Sequence, residues 1–469
     1  MNLLAIPRHQ VETTLGDYAR MVRDLARPGD SLEPTRRFEA EFARYVRCRN
    51  AIAVASGRLG MRLVLKHIGV PRDCEAVIPA YNYFIVVEQF IGLGYRPVFV
   101  DARPGGLNLD ERRVEELISP RTRILLATHM FGEPCEMDAL KTLADRHDLV
   151  LIEDCAHALG ASYRGCPVGT FGRAAVFSLS IMKLVTSFGG GMITTNDDGL
   201  AQRIREDLAQ MRKKVSILET MKRFCKGMVL DVGTRRVPFS FGAWPALRAA
   251  RAVWPNVQRR MMTDRPRSMG GCSSEPAARL HRFQVRLGRS QLRRADEFIA
   301  KRRQVMEWLD KALAGIDGVT LLRRSEHSRH NGMYYGILAD ESEKLSKYLF
   351  ARGIDSETSE YGNCADLEMY ASYRKDIAKP ISAHEANTKS AFPVARDIEA
   401  RILRLPNHPS LKRRDVERIG SCVRSFYERL DRKDHLCEMS SQPKEQPVSS
   451  IQRNKSERKV PAHSLSPSA

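Results

Sequence analysis

The sequence predicts an α/β fold: a large, mostly parallel sheet wrapped by helices, then a smaller C-terminal α+β domain. Three observations predict it. Short β-type runs alternate with helical periodicity from residue 51 to 195. Polar residues stand at or just after the carboxyl ends of several runs, where ligands collect in such sheets. Beyond residue 280 the pattern changes to a long helical stretch, two strand-like runs and two more helices.

The elements follow in order. Residues 36–48 place Phe38, Phe42 and Tyr45 at i, i+4 and i+7, the spacing of an amphipathic helix. Ala51–Ala55 is a β run ending at Ser56-Gly57, with a helix expected over 58–68. Strands are expected at 76–79, 96–100, 124–128, 149–152, 174–179 and 191–195. Helices are expected at 86–93 and 137–147 between them. Helical periodicity returns at 280–314, strands at 319–322 and 333–338, and helices at 342–352 and 414–429. This divides the chain into an N-terminal arm (1–35), a large domain (36–204), a basic insertion or lid (205–275), a small domain (276–432) and a tail (433–469). The tail is polar and rich in Ser, Pro, Lys and Gln, a composition that predicts disorder.

The bulk numbers narrow the class. At 469 residues the chain fits a large domain plus a smaller one, and 43% hydrophobic residues supply a core. No window offers about 18 consecutive apolar residues, so no membrane span is expected. The first ten residues have no signal-peptide h-region, and the ten cysteines form no CxxC pair or metal-finger spacing. Free thiols in a reducing cytoplasm, and no metal site, are the expectation.

The net charge of +20 raises nucleic acid and anionic membranes as partners. Between Arg212 and Arg267, fourteen Lys/Arg face three acids, so over half of the excess lies in one segment. The remainder, including Arg293, Arg294, Arg302 and Arg303, reads as solvated helix faces. No helix-turn-helix, zinc or RNA-recognition signature accompanies the charge, so no nucleic-acid partner is expected. The segment holds Phe239, Phe241, Trp244 and Trp254 among its arginines. A lid over the site is the first reading, and a peripheral contact with an anionic membrane is the second.

One constellation carries chemistry. Asp154 lies in LIEDCAHA, directly after a hydrophobic strand. Lys183 follows 29 residues later in FSLSIMKLVTSFGGGMITT, five residues after Ser178. Ser56-Gly57 opens a helix, a ready anion site, and Tyr83 in PAYNYF can stack on a flat ring. Pyridoxal 5'-phosphate (PLP) chemistry requires such a set: a lysine, a carboxylate for the ring nitrogen, a stacking group and a phosphate cradle. Singly, each element is ordinary: a surface lysine, a capping Asp, a capping Ser-Gly, a glycine turn.

Together they resemble the DegT/DnrJ/EryC1/StrS aminotransferases, PLP enzymes that aminate keto-sugars attached to nucleotides. The matching stretches are SGRLGM (56–61), VIPAYNYF (77–84), RPVFVDARPGGLNLD (96–110), HMFGEPCEMDAL (129–140) and IEDCAHALGASYRGCPVGTFG (152–172). FSLSIMK and GGMITT follow, and FPVAR (392–396) and LRLPNHPSL (403–411) close the pattern. The resemblance implies a type I PLP-dependent transferase fold (aspartate aminotransferase-like), a homodimer with sites at the subunit interface, and a cytoplasmic enzyme. It assigns Lys183 to the Schiff base, Asp154 to the pyridinium nitrogen and His157 to the ring hydroxyl. It assigns Ser178 and the backbone at Gly57, Arg58 and Leu59 to the phosphate, and Tyr83 to stacking. It implies an amino-acid donor, glutamate or another, and a keto-sugar nucleotide acceptor. The chain departs from the family pattern where Arg58 replaces a threonine, Phe188-Gly189 replace Gly-Glu, and Ala277 takes an asparagine's place while Arg279 is kept. These departures carry the alternative of a divergent, non-catalytic or regulatory relative.

Overall fold

In the computed structural model, seven strands form the central sheet. Across the sheet they run Asn50–Val54, Gly191–Thr195, Ala174–Ser178, Val150–Asp154, Thr122–Thr128, Glu75–Pro79, Arg96–Val100. The structure describes residues 4–25, 32–211, 217–253, 279–358, 361–374 and 392–441. Four neighbouring pairs are parallel, and only Gly191–Thr195 runs against the rest. The carboxyl ends of six strands therefore share one edge, and the sharp return into Gly191 brings the glycine run to that same edge.

Strand residues alternate between two apolar layers, as the period of two requires. Ile52, Val54, Ile78, Leu126, Ile152 and Ile193 pack with Leu63, Val87, Phe90 and Ile204 on one face. Ala53, Phe177 and Met192 meet Phe38 and Phe42 on the other, and Val77, Leu125 and Leu151 meet Leu140 and Leu143 there. Each such Leu, Ile or Phe contributes about 2 kcal/mol by leaving water, so covering both faces outweighs any local helix or strand preference. A second sheet of four antiparallel strands follows in the order Val319–Leu321, Tyr335–Ala339, Ile402–Leu405, Glu357–Thr358.

Some expectations change. The helical stretch 280–314 is two helices, Arg282–Leu292 and Ala295–Leu313. The buried stripe Gln291, Ala295, Phe298, Arg302 keeps its spacing across the break, so periodicity alone hides it. Arg302 is accordingly no solvated residue: it is 2% exposed and donates to the carbonyls of Met333 and Asn407. The last helix, Arg413–Ser441, continues past residue 432, because no Pro or Gly intervenes before Pro443. The rest of the expected tail lies outside the described residues. Contacts divide the chain into Met1–Tyr427 and Glu428–Ala469.

Of the basic segment, residues 205–210 belong to the helix Asp198–Gln210. Ile217–Thr234 and Trp244–Val253 are further helices, joined by a short α turn and a π turn. Residues 212–216 and 254–278, with Trp254 and Ala277, lie outside the described residues. The Trp244 indole donates to Phe350 O at 3.1 Å and Phe239 is buried, whereas Phe241 is exposed. Among the described residues no helix is long and apolar enough to cross a membrane.

Candidate active site

The strand ends surround a cavity of about 510 Å³. It is lined by Gly57, Arg58, Tyr83, Asp154, His157, Ser178 and Lys183, so seven of the eight residues selected from the sequence converge on it. Leu59 does not. Its side chain is buried in the core, and its N–H donates to Ser56 Oγ at 3.1 Å, capping the helix Gly57–His67. A capping serine consumes that amide, so only the turn before it faces the cavity.

Each side chain is placed by its element. Asp154 ends its strand and is buried, accepting from Ala156 N–H at 3.0 Å. Burial raises its pKa; that backbone bond, Lys183 and His129 oppose the rise. A cation seated against this carboxylate would be strongly held. Lys183 stands on a loop closed upon itself: Leu179 N–H donates to Gly190 O at 2.9 Å, and Ser187 and Gly189 N–H return to Leu179 O. Its Nζ lies 5.9 Å from the Tyr334 ring centre. Ser178 Oγ accepts from Ser180 N–H at 3.4 Å, which leaves its own proton directed elsewhere.

The helix opening at Gly57 lies against the strand ends. A Cβ on Gly57 would stand 3.5 Å from Ser178 Cβ, and one on Gly191 would strike Gly57 N at 2.8 Å. Only a bare backbone allows this approach, which sets the helix N-terminus and Ser178 side by side as an anion cradle.

His157 is held on both nitrogens. Phe131 N–H donates to Nδ1 at 3.3 Å, so Nε2 carries the proton and meets the Tyr361 hydroxyl at 2.9 Å. Burial, then Lys183 and Arg404, hold its pKa well below the usual range, so it is neutral at pH 7. Asn331 pins the same turn by donating to the carbonyls of His157 and Leu159.

Sequence reasoning missed several lining groups. Tyr334 and Tyr361 come from the second half of the chain, with no local motif to mark them. Behind them Arg404 stacks 4.7 Å from the Tyr334 ring centre. His129, which lines the cavity directly after a strand, had a signal, and behind it lies Glu153, next to last in its strand. Buried Glu153 accepts N–H bonds from Gly169, Phe171 and Gly172, and the His129 ring donates to it at 3.1 Å. Cys155 lies close enough to complete a set of metal-type donors. His129 is already committed through both nitrogens, however, since Cys135 N–H donates to its Nδ1. Arg223 and Lys226 enter the lining from the helix Ile217–Thr234. Among the described lining residues, four cationic side chains (Arg58, Lys183, Arg223, Lys226) face one carboxylate, Asp154. Such a cavity selects anions.

A parallel α/β sheet with a lysine, a buried carboxylate and an anion cradle at its strand ends defines a transaminase-type fold and site. The chain belongs to the DegT/DnrJ/EryC1/StrS aminotransferase family, whose profile matches residues 22–234 and 276–424. It is 28% identical to a GDP-perosamine synthase of Caulobacter vibrioides, over 81% of this chain and 87% of the relative. It is 29% identical to the dTDP-3-amino-3,4,6-trideoxy-alpha-D-glucose transaminase of Streptomyces venezuelae, over 84% and 87%. The S. venezuelae structure of DesV with a ketimine intermediate aligns at a TM-score of 0.64 and 27% identity, covering 88% of this chain and 94% of that one.

Proposed function

We propose that this aminotransferase moves an amino group from an amino acid, glutamate, to a keto-sugar carried on a nucleotide. The observation that carries the reading is the convergence of Lys183, Asp154, His157 and Ser178 on one cation-rich cavity. The two relatives named for nucleotide-linked amino sugars, each covered over most of its length, support the acceptor class. An amino acid brings a carboxylate and a sugar nucleotide brings a diphosphate, both suited to Arg58 and Lys226.

The residues fit PLP. Ser178 and the first turn of the Gly57–His67 helix would hold the phosphate, and Asp154 the protonated ring nitrogen. Tyr83, at the start of the Phe84–Ile91 helix, would lie along the ring. Bound there, PLP would supply an electron sink for the amine-bearing carbon. Lys183 Nζ would anchor it and carry the proton to and from that carbon. His157, neutral and protonated on Nε2, would donate and never compete as a cation. We place the enzyme in the cytoplasm as a homodimer.

The test is direct. The purified full-length protein is incubated with PLP, glutamate and a panel of nucleotide keto-sugars. We expect a visible cofactor band that shifts with glutamate, and one acceptor converted to an amino sugar. Failure to take up PLP would overturn the reading. A non-catalytic or regulatory role is the second reading. A pleiotropic regulatory protein of Geobacillus stearothermophilus is 36% identical over 36% of this chain and 46% of its own length. Cofactor uptake with no response to any amino donor would favour it.

A further inference from the structure

One wall of the cavity comes from the basic segment, and its helix is built to bring a cation to the phosphate end. On Ile217–Thr234, Thr220, Phe224, Gly227 and Asp231 form the buried face, at spacings of three and four. Gly227 sits directly on Phe188: a Cβ there would meet Phe188 Cδ2 at 2.2 Å. Phe188 has a left-handed backbone, φ 57°, a strained conformation for a bulky residue. Its ring is buried with Phe224, Phe283 and Leu287, and burial of that apolar surface offsets the strain.

That docking fixes Arg223, one turn before Gly227. Its Nη1 lies 3.6 Å from where a Cβ on Gly189 would be. The next residue, Gly190, is bridged to Ser56, which caps the Gly57–His67 helix beside Ser178. The guanidinium therefore lies beside the glycine run that is bridged to the anion cradle, in the same cavity lining. Asp154, which faces Lys183, is the sole carboxylate among the described lining residues.

We propose that Arg223 binds the phosphate of PLP, supplied by the same chain that supplies Lys183, alongside Ser178 and the helix N-terminus. The inference rests on the cofactor reading above. Lys226, which is exposed, is left to the outer cavity.

Spectral titration of the cofactor-free full chain with PLP, and separately with phosphate-free pyridoxal, tests it. Arg223→Gln is expected to weaken PLP binding by about tenfold or more, the loss of one charged hydrogen bond, and to leave pyridoxal binding unchanged. Gly227→Val, which forces the helix off Phe188, is expected to repeat the phosphate-specific loss. Lys222→Ala, on the exposed side, is expected to change neither. Equal affinity of Arg223→Gln and wild type for PLP would overturn the inference, as would equal loss of PLP and pyridoxal. A wild-type protein that takes up neither compound would instead overturn the cofactor reading itself.

Discussion

The two walls of the cavity are held by different physics. The strand-end wall, which carries Asp154, His157, Ser178 and Lys183, is fixed by backbone pairing and by buried polar groups, Glu153 accepting and Asn331 donating. The wall made by the helix Ile217–Thr234 has no strand to register it. It is held by side chains: Phe188 on Gly227, and buried Asp231, which accepts from Thr13, Tyr18 and Arg235. Its outer face leaves Leu218 and Val229 more than half exposed. The first wall is over-determined and suits chemistry that tolerates little movement. The second hangs on a few side-chain contacts.

Substitutions on each wall break the comparison in different ways. The largest effect is expected on the first. Lys183→Ala is expected to lower turnover by roughly a thousandfold or more, since no neighbouring group can anchor the substrate carbon and move its proton. Single-turnover conversion of glutamate measures it, with circular dichroism confirming that the fold is kept. On the second wall, Asp231→Ala removes a buried carboxylate shared by two hydroxyls and a guanidinium. It is expected to cost about 3 kcal/mol, read as a lower urea midpoint. Protection of the amides of 217–234 in hydrogen exchange is expected to fall more than that of 150–157.

The smallest effect sharpens the contrast through pH. The helix 217–234 has no histidine, whereas His157 lies in the strand-end wall, His9 in the N-terminal segment and His408 against Pro7 of that segment. Burial holds His157 and His9 well below 6.5 and pushes His408 down to about 3. As pH falls below 6.5 the unfolded histidines take up protons that the folded ones refuse. Stability is therefore complete above 6.5 and is lost on acidification toward the folded pKa. Each histidine costs about 1.4 kcal/mol per pH unit in that window. Unfolding at pH 7 and pH 5 measures it, and His408→Gln is expected to flatten the slope by one histidine's share.

The legibility of the site follows the same divide. Asp154 and Ser178 were legible because a strand end announces itself, an apolar run and then a polar residue, whereas Lys183, on the loop beyond, was singled out by its spacing from them together with the family resemblance. The helix opening at Gly57 was found by its cap, but the same cap removed Leu59 from the cradle. Tyr334, Tyr361 and Arg223 carried no local signal. They reach the cavity through the antiparallel second sheet, the chain around Tyr361 and the docking of the helix Ile217–Thr234.

By itself, the sequence determined the alternation of strands and helices, the residues at the strand ends and the excess of cations near position 220. These depend on spacing and chemistry within a few residues. Only the tertiary structure decided that Phe188 accepts a left-handed backbone, that Arg302 is buried, and that Arg223 turns toward Gly189. Each of those is set by what lies across the core, where burying a ring or satisfying a buried cation outweighs the local preference of the chain.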